Sequence, residues 1–344
     1  MSLMLKLNTE IIITSVFVIL CSILLFSADA SEWTDLSSPE VIGEWVRPAG
    51  DKPSRPVWGH ADGLRIGLHP MSGPRGLIRI YTPYLAHAPD RMINYLAVEP
   101  VPEGEIHRGY SELEWSSLDN VQGKRMWSGN SPEDNSLRDN DIPASGVIST
   151  EGGVETLTVY IFVERFHNGA HVYLRIRFHE DCPKEVEVAT FTRDDSKPLK
   201  YCIITATMGN WARLRKLHLK DSIITSHELW PEYKDDGFTP HASFSLEDMI
   251  RNEDGDVIFM ASPDEANPVD VEYSKDTPPW WKYHGKTATQ YWRVKNPNDD
   301  LAGQVNGRYT YWGTRSPIPG GIAFENFEMV VNFQNGETLI FGVK

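Results

Sequence analysis

The sequence predicts an all-β protein: one antiparallel β-sandwich, of jelly-roll or larger type, carrying long loops. Three observations predict it. Short runs rich in Val, Ile, Leu and aromatics alternate with polar residues at a period of two, the spacing of a strand with one buried face. Gly, Pro, Asn and Asp punctuate the chain between those runs. Helical periodicity is scarce, with 245–251 the best short candidate and 211–220 ambiguous. Such a pattern implies sheets stacked face to face.

The chain opens with Lys6, an apolar run over 11–26 and then Ala28-Asp29-Ala30, a small-x-small cleavage pattern. Residues 1–30 therefore read as a signal peptide cleaved before Ser31, and 31–344 as a single β-sandwich domain that is secreted or periplasmic. The apolar run is too short for the ~20 residues that span a bilayer, so no membrane span is expected after cleavage.

The strands follow in order. Residues 64–69 and 77–81 alternate, with Ile78 and Ile80 inward; 154–166, 186–193, 201–208, 257–260, 308–312 and 339–343 are further candidates. The clearest hairpin folds about Asn168-Gly169, a pair suited to a two-residue turn. With His167 opposite Ala170, Val163 meets Leu174, Ile161 meets Ile176 and Val159 meets Phe178, all apolar. The runs 128–144 and 262–280 read as long surface loops.

With net charge −15, falling near −14 once Lys6, Glu10 and Asp29 leave with the leader, the chain has no general attraction to nucleic acid or anionic membrane. After cleavage only Cys182 and Cys202 remain. A strand pair folded about 194–200 places Cys202 opposite roughly residue 192, which disfavours a bridge.

The 170–179 strand sets Ala170, Val172, Leu174, Ile176 and Phe178 on one face and His171, Tyr173, Arg175, Arg177 and His179 on the other. Such planar, hydrogen-bonding groups suit a ligand face, or else Arg175 and Arg177 lie over Phe162 and Tyr160 as cation–π pairs beneath a loop. Aromatics beside polar residues also point to sugar rings: Trp211, the Pro-rich Trp280-Trp281-Lys282-Tyr283-His284 cluster, and Arg308 leading into Tyr309 and Tyr311. Arg213, Arg215, Lys216, His218 and Lys220 form a basic cluster, suited either to an anionic ligand or to the chain's own carboxylates.

For chemistry, His60 precedes an Asp-Gly turn near a strand end, with Arg65, Arg79 and Tyr81 downstream. A His or Tyr proton carrier beside an Arg is what β-elimination from a uronate needs, since the Arg neutralises the carboxylate and acidifies the C5 proton. Paired carboxylates offer the competing chemistry: Glu112 with Glu114, and Glu325 with Glu328, could serve a glycosidase. No Gly-x-Ser-x-Gly elbow, P-loop, dinucleotide fingerprint or Cys-based zinc site occurs. No cofactor is expected, although the acidic run 133–141 could hold a structural calcium.

The stretches VWGHADGLRIGLHPMSGPRGLIRIYTPYL, RGYSELEWSSLDNVQGKRMW and SPIPGGIAFENFE resemble a family of exported bacterial proteins of unassigned function from polysaccharide degraders. That resemblance covers nearly all of 31–344 and implies no particular catalytic residues. A looser likeness is to jelly-roll polysaccharide lyases of the alginate-lyase kind. Of their Arg-x-Glu-Leu motif this chain has Arg108-Gly-Tyr-Ser-Glu112-Leu113, with the Arg displaced. Their Gln-Ile/Val-His motif is met only by Gln304-Val305-Asn306. The combined expectation is an exported carbohydrate-active protein whose partner is a polysaccharide or oligosaccharide. A lyase acting by β-elimination on a uronate-containing glycan comes first, with a glycoside hydrolase using paired carboxylates, or a non-catalytic glycan-binding or envelope protein, as alternatives.

Overall fold

The computed structural model describes residues 36–82, 92–138, 140–283, 285–286 and 288–344. The leader 1–30 and His284 lie outside the described residues. Two antiparallel sheets pack face to face. The first runs β1 (Glu40–Ile42), β2 (Trp45–Arg47), β3 (Val57–His60), β4 (Arg65–Gly67), β5 (Ile78–Tyr81) and β6 (Met92–Pro102) as a meander. It then crosses to β12 (Leu199–Thr207), β20 (Ala323–Val330), β19 (Ala302–Arg308) and β15 (Ala242–Ser245).

The second sheet runs β14 (Ile223–Thr225), β13 (Leu214–His218), β17 (Val257–Pro263), β18 (Gln290–Val294) and β21 (Thr338–Val343), then β11 (Glu185–Thr192), β10 (Val172–His179), β9 (Val154–Val163) and β7 (Met126–Gly129). A short β8 (Val147–Glu151) pairs with β9, and β16 (Ile250–Arg251) pairs with β17. A four-residue helix, α1 (Ser226–Leu229), starts at a Thr225/Glu228 capping box. No helix of the described residues is long and apolar enough to cross a membrane.

Alternation explains how the layers meet. In β10 every second residue from Val172 is buried, and these pack with Val159 and Ile161 of β9 against Ile66, Ile78, Leu96, Val98 and Ile204 of the first sheet. Each such side chain contributes about 1.5–3 kcal/mol on burial. Each sheet thus keeps an inner face in one shared core and an outer face that can carry chemistry.

The structure corrects the hairpin register. Leu174 pairs with Ile161, Ile176 with Val159 and Phe178 with Leu157, two residues away from the expected partners. The turn supplies one step of the shift: the Phe166 N–H donates to the Ala170 carbonyl and the Gly169 N–H to the Phe166 carbonyl, so three residues, not two, form the loop, and a second one-residue offset falls between that pair and Phe162–Tyr173. Of Asn168 and Gly169, only Gly169 is left-handed, at φ +91°. A shift of two preserves parity, so every side chain stays on its expected face.

Other expectations change similarly. The helix expected at 245–251 is a single 3-10 turn, Leu246–Asp248, between the end of β15 and β16, and 211–220 contain β13. The strand expected at 308–312 ends at Arg308. Cys182 and Cys202 are both free.

Candidate active site

The outer face of the first sheet gathers a set of carboxyl groups. Glu99 of β6 is opposite Ile203, and two residues along β12 Thr205 is opposite Glu328 of β20. Period two therefore puts Glu99, Thr205 and Glu328 on one face of three adjoining strands. Glu99 is 3% exposed and Glu328 is fully buried. Arg108, on the loop leaving β6, lies between them: one guanidinium nitrogen is 2.6 Å from the Glu99 carboxylate and the other donates to Glu328. Thr205 Oγ1 donates to the second Glu328 oxygen. His241 Nε2 lies 3.8 Å from Glu328 and 3.3 Å from the Asn306 amide.

Glu325 joins this face through a β-bulge. Val305 pairs with Phe327 and Gly307 with Phe324, so Asn306 alone stands opposite both Asn326 and Glu325. The extra residue breaks the alternation and turns Glu325 away from the core that holds Phe324 and Phe327. The Asn306 side-chain oxygen accepts the Asn326 N–H at 3.2 Å and fixes the bulge. One Glu325 carboxyl oxygen is buried and has no hydrogen-bond partner among the described residues.

Electrostatics raise three of these carboxyls. Burial pushes Glu325 up to about 7, with neighbouring Glu112 adding to the rise and Arg308 opposing it. Glu112, on the loop after Arg108, is also pushed up to about 7 by desolvation. Burial and then the Glu328 charge raise Glu99 well above the usual carboxylate range. Burial works against the Arg108 charge, but the Glu328 and Glu99 carboxylates outweigh it and hold the guanidinium ionised. His241 is lowered by burial, partly offset by Glu328.

Segment 236–241 borders the cluster. The Thr239 N–H bonds the Gly307 carbonyl at 2.9 Å, and the ring of Phe238, 47% exposed, lies 4.8 Å from the Arg308 guanidinium. Arg308 donates to the carbonyls of Thr310 and Asp236. An exposed ring therefore sits beside Arg308, whose charge acts on Glu325. Among the described residues, no group of three or more His, Cys, Asp or Glu is placed to hold a metal ion.

The other sequence-derived candidates lie elsewhere. His60 is 3% exposed and packed between Trp45 (4.8 Å) and Phe178 (6.1 Å); burial lowers it to about 4, so it is a neutral packing group rather than a residue at a cleft mouth. Arg79 is fully buried and donates to the carbonyls of Ser72, Gly73, Pro74 and Leu77, so it holds a turn instead of presenting a fork to a substrate carboxylate. Tyr81 packs with Val46, Val57 and Met71, and with Arg65 lines a separate cavity of about 370 Å³. Arg65 donates to the carbonyls of His60 and Ala61.

On the second sheet's outer face most of the expected charges are already paired. Arg177 donates to Glu151, His179 is 3.2 Å from Glu187, and His171 is 2.7 Å from Asp195. Arg175 lies over Phe191, not Phe162, at 5.6 Å, and Tyr173 stacks on the same ring at 5.1 Å. Trp211 packs edge-on to Tyr283, Trp281 is buried against Tyr311, and Trp280 alone of these is exposed, at 58%. Of the basic cluster, Arg213 and Arg215 are buried on Asp264 and Glu265. Of the paired carboxylates, Glu114 faces His167 and Lys124 instead. The sequence reading missed Glu99 and His241; a lone acid inside the apolar run of β6 was the available signal for Glu99.

No protein-family model matches this chain, and no curated protein does. Two solved structures show weak likeness. One is YeaD from Salmonella typhimurium, described as a proposed mutarotase, at a TM-score of 0.25 and 10% identity over 90% of this chain and 96% of that one. The other is HI1317, at 0.25 and 9% over 89% and 97%. Likeness at that level carries no argument.

Proposed function

We propose that the chain is a carbohydrate-active enzyme working by general acid–base catalysis at the Glu99–Glu112–Glu325–Glu328 cluster, with hydrolysis of a glycosidic bond the reaction its groups fit best. The observation that carries this reading is the pair of neighbouring carboxyls, Glu112 and Glu325, each raised to about 7. A carboxyl that keeps its proton near neutrality can give it to a leaving oxygen. Glu328, bonded as a carboxylate by Arg108 and Thr205, supplies the negative partner that activates water or faces charge developing at the sugar carbon. The Phe238 ring offers an apolar face to the C–H side of a pyranose.

Elimination from a uronate has weaker support. Arg79 has its guanidinium committed to carbonyls, and Arg108 is already flanked by two glutamates, so neither is free to neutralise a substrate carboxylate. With the Arg108 guanidinium already bonded to Glu99 and Glu328, the cluster favours a neutral glycan at this site. Export belongs to the same proposal: N-terminal sequencing should begin at Ser31-Glu32-Trp33, and a retained Met1 would refute it.

The test is a panel of neutral, uronic and sulfated polysaccharides followed by reducing-end release and by absorbance of unsaturated uronate. Reducing ends without absorbance are expected. Glu112→Gln and Glu325→Gln should each lower turnover by roughly 10²–10⁴-fold. Absorbance gain that survives both substitutions would overturn the assignment.

A further inference from the structure

The second sheet's outer face carries an aromatic row that crosses four strands. Trp127 of β7 stacks near Phe162 of β9 at 6.1 Å, Phe162 meets Tyr173 of β10 at 5.6 Å, and Tyr173 stacks on Phe191 of β11 at 5.1 Å, with planes 10° apart. Tyr160 adjoins Tyr173 at 6.4 Å. Trp127 and Phe162 are buried, whereas Tyr160, Tyr173 and Phe191 are half-buried and reach solvent.

Two guanidinium groups border the open end. Arg175 lies over Phe191 at 5.6 Å and Arg193 over Phe162 at 5.7 Å. Burial, then Tyr160 and the Glu133 charge, raise Tyr173, and the charges of Arg175 and Arg193 oppose that rise, so both guanidinium groups and one carboxylate act on this ring. Neither guanidinium has an acidic or carbonyl partner among the described residues, and the Arg175 Nε is buried without any. That is unusual in this molecule, where 48 acidic residues outnumber 33 basic ones. Arg108, Arg177, Arg213, Arg215 and Arg293 all have carboxylates, and Arg65 and Arg79 have carbonyls. A chain this acidic that leaves two half-buried arginines unmatched presents charge complementary to an anion. The adjoining rings add an apolar surface beside that charge, of the kind that packs against the C–H face of a sugar.

We infer that this strip is a second, non-catalytic binding site for an anionic glycan, whose uronate or sulfate group is held by Arg175 and Arg193 while its sugar packs against the solvent-reaching sides of Tyr160, Tyr173 and Phe191. It uses the sheet face opposite the glutamate cluster and stands apart from the acid–base reading. The ring faces are taken up by one another and by the guanidinium groups, so a sugar meets the row along its solvent-reaching sides, beside the two charges. Guanidinium forks then bond carboxylate or sulfate oxygens in pairs.

The experiment is titration calorimetry at low salt with oligogalacturonate, sulfated dextran fragments, neutral dextran oligomers and polyglutamate. At least one of the two anionic glycans should bind, dextran should bind far more weakly, and polyglutamate, which has the charge without the rings, should also bind weakly. Arg175→Gln and Arg193→Gln should each weaken that binding about tenfold or more with the melting temperature kept, and Glu325→Gln should leave it unchanged. In the wild type, where folding is not at issue, the bound glycan should slow phenylglyoxal modification of Arg193. Failure of both anionic glycans to bind, binding that survives both arginine changes, absence of protection, or polyglutamate or dextran binding as tightly would each overturn the assignment.

Discussion

Glu325→Gln should make the protein's stability rise, relative to the wild type, as pH increases. Burial in the bulge pushes the native Glu325 carboxyl from the usual 4.5 to about 7. Between those two values the folded chain keeps a proton that the unfolded chain releases, so folding takes up a proton and wild-type stability falls as pH rises. The full shift corresponds to roughly 3.4 kcal/mol, of which about 2.5 kcal/mol is lost between pH 5 and pH 8. Gln has the same shape and no ionisation, so the loss disappears in the variant. At about 2 °C per kcal/mol for a domain of this size, the variant's melting temperature should gain about 5 °C on the wild type across that interval. Whatever Gln does to packing is independent of pH and cancels in the comparison. The assay is a pair of thermal melts at each pH. Parallel profiles would show that Glu325 ionises normally, and the proton-donor role given to it would fall with that result.

Further outcomes check other parts of the structure. Ile161→Ala and Leu174→Ala, each costing about 2–5 kcal/mol, should be strongly non-additive in chemical denaturation, because these residues are cross-strand partners; Ile161 with Ile176 should couple less. Trp281→Ala should cost about 3–5 kcal/mol, whereas the exposed Trp280→Ala should stay near 0.5 kcal/mol. Glu265→Ala should lower stability by about 3–5 kcal/mol, because it strips Arg213 and Arg215 of a partner in a buried network. His60 and His69, both lowered to about 4 chiefly by burial, should make stability fall as pH drops from 6.5 towards 4, and His60→Phe should flatten that acid limb in pH-dependent melts.

How much of this was legible in the sequence depended on which face of a strand carried the signal. Alternation over 172–179 gave β10 and the correct faces, because one side is core and the other is not. By contrast β6, eleven residues at the centre of the first sheet, is buried on nearly every residue and ends in Val101 between two prolines; with both faces covered it shows no alternation to read. The hairpin register slipped because Asn168-Gly169 suits a two-residue turn equally well, and only the φ at Gly169 alone distinguishes the longer loop.

The same logic explains why the candidate site was half visible. Glu112, Glu325 and Glu328 stood out as close pairs along the chain, but the pairs that matter form across strands: Glu112 with Glu325, and Glu99 with Glu328 through Arg108. Sequence spacing cannot show that a bulge adds one residue to β20, and without it Glu325 would point into the core between Phe324 and Phe327. Conversely, the arginines of β10 and β13 looked like ligand-binding groups because their carboxylate partners, Glu151, Glu187, Asp264 and Glu265, come from other strands and loops. Charge read along one strand overstates what is free, since an acidic protein neutralises most of its arginines from neighbouring strands. Arg175 and Arg193 become informative only after that pairing is known, because it leaves these two, half-buried over rings, without a carboxylate among the described residues.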